Sequence, residues 1–391
     1  MRILEDVKLD YQDVLIKPNR TVLESRSQVN LEKTFKFKSK EGKESSFSGI
    51  PIIASNMNTG TFNMLDVFSK NKMFVAINKY QNWFKNDYFD LAYLTNENIF
   101  VTNKMDQLAY LERFLNYGFY TIGMNEDELF RLKEFYLLVN SLDESNVFSL
   151  ADGIKICIDI ANGYIHTFPK FIEKVRNMFP NNYIVAGNVC TPEMTQELIL
   201  AGASCVKIGI GSGAGCTTRR KTSVGYPQLS ATIECSDVAH GFNAHIIADG
   251  GITYTGDFSK AFVANADFVM AGGFFSGTDE CDAEIVTKKY ISNELQWLNG
   301  EWKQKIEVKQ FMEFYGMSSQ YAQEKYNGGM NTYRTSEGAY ELVEYKGSVQ
   351  TIIDDILGGL RSCGTYIGAK DIKNFGKCGS FIKVNRIHNK F

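Results

Sequence analysis

Short apolar, β-branched runs alternate along the chain with longer amphipathic stretches, and the runs mostly stop at Gly, Asn or Asp. The runs fall at PIIAS (51–55), MFVAI (73–77), FYTIG (119–123), KICIDI (155–160), YIVAGN (183–188), CVKIGI (205–210), HIIADGG (245–251) and DFVMAGG (267–273). Between them lie helical patterns such as TPEMTQELILAG (191–202), with Thr191 as N-cap, Pro192 at the first helical position and Gly202 closing the end. Near-continuous apolar strands alternating with helices imply a buried parallel sheet. Eight such units predict an α/β fold closed as a (β/α)8 TIM barrel, with an open doubly wound sheet as the alternative.

Two segments resist this scheme. NIFVTN (98–103) also has strand character, but FYTIG is the better third strand because MNEDELFRLKEFYLLV follows it as a helix. Residues 274–312, between the last strand and FYGMSS, are too polar for barrel core and too long for an ordinary loop. They read as an irregular excursion, either a mobile flap over the barrel mouth or a surface loop without a role. The chain is expected to be one barrel domain over 1–391, with the flap at 274–312.

In such a barrel the residues after each strand gather at one face, where active sites are built. Here they are SNMN, AINKY, DIANGY, GNV, GIGSGAGCTT, ADGG and AGG, small, polar and glycine-rich. Gly250–Gly251 and Gly272–Gly273 follow the seventh and eighth strands, where a phosphate commonly sits. One diglycine alone would be an ordinary tight turn; two in register point to a phosphate. The glycines of GIGSGAGC let the backbone turn sharply and approach a ligand or a cation. Cys216 at its end stands beside Arg219, Arg220 and Lys221 in the chain. Such neighbours make a thiolate nucleophile; the plainer readings are an inert buried thiol and a solvated basic run.

Composition narrows the field. The 391 residues are 44% hydrophobic and 22% charged, with a net charge of −3, and no long Lys/Arg block offers a nucleic-acid surface. No apolar run spans a bilayer, and the charged, alternating start MRILEDVKLDYQDV does not read as a secretory signal. The eight cysteines contain no CxxC pair, which argues against a structural zinc site and a small disulfide scaffold and fits reduced thiols in a cytoplasmic protein.

GIGSGAGCTTRRKTSVGYPQLSATIECSDVAHG (209–241) resembles the cysteine loop of GMP reductases, in the superfamily shared with IMP dehydrogenases. DVKLDYQDVLIKP, SRSQVNL, GIPIIASNM, CIDIANGY, AGNVCTPEMTQELILAGASCVKIGIG, FYGMSS, TYRTSEG and DILGGLRSCGTYIGA extend the resemblance over nearly the whole chain. It implies deamination of GMP to IMP with NADPH as hydride donor and release of ammonia. Cys216 would attack purine carbon 2, and Thr218 and Glu337 would form the catalytic pair that protonates the departing amine. The nucleotide would be held by Asp249, Gly250, Gly251, Gly272, Gly273, Met317, Ser318, Arg334, Ser336 and Gly338. Asp159, Ala161 and Lys79 would face the cofactor. The carbonyls of Gly211, Gly213 and Cys216 would hold a monovalent cation, K+. Relatives are usually homotetramers.

An IMP dehydrogenase needs an Arg–Tyr pair on its flap; residues 274–312 contain no arginine, and Lys289–Tyr290 is a faint echo. The regulatory nucleotide-binding insertion of dehydrogenases is also missing. Other positions depart from the reductase pattern: Ala214 replaces a phosphate-contacting hydroxyl, Asn58 an aspartate, INKY (77–80) keeps Lys79 without flanking histidines, TIGMN (121–125) replaces a more polar turn, and QWLNGEWKQK lengthens the flap. The same cysteine chemistry on a modified purine nucleotide such as dGMP, and a nucleotide-binding pseudoenzyme, are the remaining alternatives.

Overall fold

The computed structural model describes residues 3–84, 90, 101–142, 150–298, 300–333 and 335–385. Eight parallel strands close into a barrel in chain order: Ile52–Ala54, Phe74–Ile77, Gly118–Ile122, Lys155–Asp159, Ile184–Val189, Cys205–Ile208, His245–Asp249 and Phe268–Ala271. Closure comes from pairing of the eighth strand with the first, Val269 with Ile52 and Ala271 with Ala54. The strands are buried on both faces, as the uninterrupted apolar runs required. The open-sheet alternative is thereby excluded.

FYTIG supplies the third strand, paired on one side with Phe74–Ile77 and on the other with Lys155–Asp159. NIFVTN is described only in its second half, and that half is helical. Its residues 101–103 open the helix Val101–Tyr117, and 98–100 lie outside the described residues. The helix Pro192–Leu200 starts on Thr191 with proline in its first turn, and Gly202 follows its C-cap with φ +110°. That left-handed conformation is the one that glycine adopts without steric cost.

The barrel has two ends of different character. At the strand starts, an antiparallel hairpin, Lys33–Lys38 with Glu44–Gly49, closes the interior. Phe35 stacks on Phe268 at 4.0 Å, and Phe47 packs edge-on against Phe74 and Tyr183. With that end plugged by aromatic rings, access to the interior is left to the strand ends.

Region 274–312 is irregular only in its first part, 274–284. Ile285–Leu298 and Glu301–Tyr315 form a long antiparallel hairpin, and Tyr340–Glu344 adds a third strand at its root. The polarity that argued against barrel core comes from one charged face of this sheet.

Candidate active site

The cysteine loop is anchored to a segment more than a hundred residues further along. Cys216 forms a β-bridge with Gly338, Thr217 N–H donates to Glu337 O at 2.8 Å, and Ala339 N–H donates to Gly215 O at 2.8 Å. These backbone bonds set the side chains in line. The Cys216 thiol donates to Thr218 Oγ1 at 3.2 Å, and the Thr218 hydroxyl donates to Glu337 Oε2 at 2.7 Å. Half-buried Cys216 therefore has a proton path through a hydroxyl to a carboxylate, the arrangement of an activated nucleophile.

The basic run is deployed differently from the sequence expectation. Arg219 turns away to pair with Asp10 at 2.9 Å and to donate to Tyr226 O. Arg220 and Lys221 are exposed on the short helix Thr218–Thr222. The group in contact with the thiol is thus the Thr218 hydroxyl, and Arg219 serves to tie the loop to the N-terminal segment.

Beneath the loop lies a polar network that sequence reasoning missed. Lys207, in the middle of the sixth strand and only 3% exposed, pairs with Asp159 at 2.6 Å and Asp249 at 2.8 Å. Asn188 donates to Asp249 at 2.9 Å and to Gly209 O at 2.8 Å. Burial by itself raises the pKa of Asp159, but the charge and hydrogen bond of Lys207, with help from Asn56 and Lys79, outweigh it and leave that carboxyl below its ordinary range. Burial likewise works against the Lys207 ammonium, yet its two carboxylates raise its pKa overall. A lysine within the apolar run CVKIGI was the available signal, since a buried ammonium requires partners.

The diglycines lie at the mouth. The N–H of Gly250 is taken by Met270 O at 3.3 Å and that of Gly251 by Ser212 O at 2.8 Å, so their donors are already engaged. Both have positive φ, and a Cβ on Gly250 would stand 2.7 Å from Ser212 Oγ. They shape the turn under the loop. Gly273 borders the cysteine loop itself: a Cβ there would lie 3.0 Å from Ala214 Cβ, while one on Gly272 would meet Met57 Sδ at 2.7 Å. Gly273 thus lets the end of the eighth strand and the cysteine loop approach closely.

The remaining expected residues differ in their surroundings. Met317 is half-buried near Asn78, whose amide points to its sulfur at 4.0 Å, and Ser318 O accepts from Glu337 N–H at 3.3 Å. Ser336 Oγ donates to Gly338 O, which keeps that segment folded against the loop. Lys79 pairs with Glu128 at 2.9 Å, a partner on the helix after the third strand that the sequence did not single out. Ala161 is exposed on the loop beyond Asp159. Arg334 lies outside the described residues. Asn58 is buried, donates to Glu313 O at 3.0 Å, and leaves its own carbonyl oxygen without a hydrogen-bond partner.

Among the described residues no group of three His, Cys, Asp or Glu side chains could hold a metal ion. The backbone carbonyls of Gly211, Gly213 and Cys216 are neutral donors; that of Gly213 already accepts the Cys216 N–H at 3.0 Å. Such a donor set suits a monovalent cation better than a divalent one.

A closed (β/α)8 barrel that gathers a thiol, a hydroxyl and a carboxylate at its strand ends has the architecture of a barrel enzyme. The model of the IMP dehydrogenase / GMP reductase domain matches residues 146–389, and the chain belongs to that family. It is 44% identical over 390 residues to the GMP reductase of Buchnera aphidicola subsp. Acyrthosiphon pisum (strain Tuc7), covering 100% of this chain and 98% of the relative. It is 43% identical over 390 residues to GMP reductase 1 of Homo sapiens, with 99% and 98% covered. With the GMP reductase of Photobacterium profundum the figures are 43% over 393 residues, 100% and 98%.

Proposed function

We propose that this chain is a GMP reductase, converting GMP to IMP and ammonia at the expense of NADPH. The observation that carries the reading is the relay from Cys216 through Thr218 to Glu337, with bonds of 3.2 and 2.7 Å. Cys216 sulfur attacks purine carbon 2 while its proton passes toward Glu337. Thr218 and Glu337 then deliver a proton to the exocyclic nitrogen as the C–N bond breaks, and ammonia leaves. NADPH, when bound, supplies the hydride that reduces carbon 2; the C–S bond then breaks and returns the thiolate. One hydride and two protons balance the conversion of GMP to IMP and ammonium.

Lys207 and Asn188 hold Asp249 and Asp159 under the loop, so that Cys216 is presented from a rigid floor. Met317, Ser318, Arg334, Ser336 and Gly338 complete the nucleotide pocket, and Asp159, Ala161 and Lys79 face the cofactor. A K+ ion on the carbonyls of Gly211, Gly213 and Cys216 would fix the loop's curvature. A homotetramer in the cytoplasm belongs to the same reading; all eight cysteines are free thiols, as a reducing compartment requires. Among the described residues no helix is long and apolar enough to cross a membrane.

The dehydrogenase reading loses its last support. Lys289 and Tyr290 are consecutive in a regular strand and so point to opposite faces, where they cannot act together on one water. The test is absorbance at the nicotinamide band with NADPH and GMP or dGMP, and with NAD and IMP. Oxidation of NADPH with GMP, abolished in Cys216→Ala, supports the proposal. Faster turnover of dGMP moves the substrate, reduction of NAD with IMP moves the reaction, and nucleotide binding without turnover leaves a pseudoenzyme.

A further inference from the structure

A second concave site lies at the end of the barrel opposite Cys216. The aromatic plug, the starts of the sixth and seventh strands and the C-terminal ends of the helices Phe168–Met178, Pro192–Leu200 and Gln228–Gly241 enclose a cleft of about 1030 Å³. That volume suits a small organic ligand. In its wall stands Arg176, only 7% exposed. Its Nε donates to Gly202 O at 2.9 Å, and Nη1 is shared among the carbonyls of Phe179, Pro180 and Asn182 at 2.8–3.3 Å. Nη2 makes one bond, to Ser204 Oγ at 2.9 Å, and keeps a second N–H to give.

The carbonyls satisfy hydrogen bonds but leave the charge unbalanced. Burial pushes the Arg176 pKa from 12.5 down to about 10, and no carboxylate among the described residues offsets it. A buried cation without a counter-ion is costly. Ser204 has the complementary deficit. Its oxygen accepts from Arg176 and, at 3.3 Å, from Ile184 N–H, while its own hydrogen has no acceptor among the described residues. Two unspent donors thus stand side by side at one uncompensated charge. Lys36 and Lys38, on one face of the plug's first strand, are exposed on the same cleft, and neither is ion-paired among the described residues. Of the carboxylates there, Asp267 is taken by Lys33 at 2.7 Å and His240 at 2.9 Å, while Glu44 and Glu173 are exposed to solvent.

We propose that this cleft binds an organic phosphate, with the phosphate on Arg176 and Ser204 and the carbon body along Leu200 and Phe242. A phosphate supplies what both groups lack, a counter-charge for the guanidinium and acceptors for the two hydrogens. Its second negative charge, which a carboxylate does not carry, meets Lys36 and Lys38. Leu200 and Phe242 are 67% and 43% exposed on the same wall, an apolar surface that a bare anion would leave wet. Strand polarity separates this site from the catalytic one. Ser204 precedes the sixth strand, Cys205–Ile208, whereas the cysteine loop follows it, so the barrel's length lies between the two.

Calorimetric titration of the full chain with phenyl phosphate, in the presence of saturating GMP to fill the barrel mouth, tests this. One equivalent should bind per chain, more tightly than inorganic phosphate, which lacks the apolar body, and than benzoate, which lacks the second charge. Ser204→Ala should weaken phenyl phosphate about tenfold or more, as loss of a hydrogen bond to a charged group does. Lys36→Ala/Lys38→Ala should weaken it and flatten its dependence on salt, and Lys303→Ala, on the long hairpin, should leave it unchanged. Far-UV circular dichroism confirms that each variant is folded, and the exposed lysine pair stands in if Ser204→Ala is not. Absence of binding at about 10 mM phenyl phosphate overturns the proposal. So does binding that GMP displaces, that benzoate or inorganic phosphate equals, or that Ser204→Ala leaves intact. The variant comparison decides the matter whether or not GMP itself binds.

Discussion

Thr218→Val isolates the proton relay, because valine keeps the shape of threonine and removes only the hydroxyl. In the wild type that hydroxyl accepts from Cys216 at 3.2 Å and donates to Glu337 at 2.7 Å, so one substitution breaks both links. A hydrogen bond to a charged group contributes about 1.5–3 kcal/mol, which on the barrier amounts to roughly a 10- to 150-fold slower turnover. The loss belongs in kcat and in kcat/KM together, since the relay acts on the thiol and the leaving nitrogen and not on the phosphate. NADPH oxidation at saturating GMP measures it directly. Thr218→Ser restores the oxygen and should recover most of the rate. A Thr218→Val enzyme within about threefold of wild type would refute the relay, as would a serine variant as damaged as the valine one.

Three further outcomes follow from the same geometry. Ala214→Ser places a hydroxyl beside Gly273 at the mouth and should lower KM for GMP about fivefold, the worth of one net hydrogen bond, with kcat unchanged in the same assay. Lys207→Met leaves Asp159 and Asp249 buried without their cation; urea melts should show a loss of about 3–5 kcal/mol at neutral pH, shrinking on acidification as protonation relieves the carboxylates. Lys155→Met should stabilise the protein. Burial lowers the Lys155 pKa to about 7 from 10.5, its ammonium donates only to Leu115 O over the Phe47 ring, and no carboxylate among the described residues pairs with it. The unfolded chain holds this proton up to pH 10.5 and the folded one only to about 7, so the cost of burial is full below pH 7 and fades as pH rises between the two. Melts at pH 6 and pH 9 should therefore show a gain of a few kcal/mol that is larger at the lower pH.

How much of this was legible from sequence depended on whether the physical cause was local. The barrel strands could be read because a strand buried on both faces must be apolar throughout, and PIIAS, MFVAI and DFVMAGG obey that within themselves. The order of the third strand was settled by the helix after FYTIG, another local signal. Arg219 failed because its partner Asp10 lies 209 positions away, so a basic run that looked directed at the thiol was engaged elsewhere. The plug at Lys33–Gly49 failed because TFKFK and SSFSG place only Phe35, Phe37 and Phe47 inward, too few apolar residues to stand out. Cys216, Thr218 and Glu337 were identified through resemblance, since nothing in spacing alone joins residue 218 to residue 337.

The hairpin shows the complementary error, in which a local signal was present and read at the wrong scale. Summed over its whole length, 274–312 is polar, and polarity pointed to an irregular loop. Taken position by position, EWKQKIEVKQF alternates with period two, the signature of a strand with one wet face and one dry face. Average hydropathy discards that phase, whereas pairing in the folded chain preserves it and stacks Trp297, Leu295 and Ile291 against Trp302, Gln304 and Ile306. A solvated excursion has no need to keep a phase over so many residues, because either face would do. The alternation, and not the mean hydropathy, is therefore what marks the segment as a paired hairpin rather than an elongated loop.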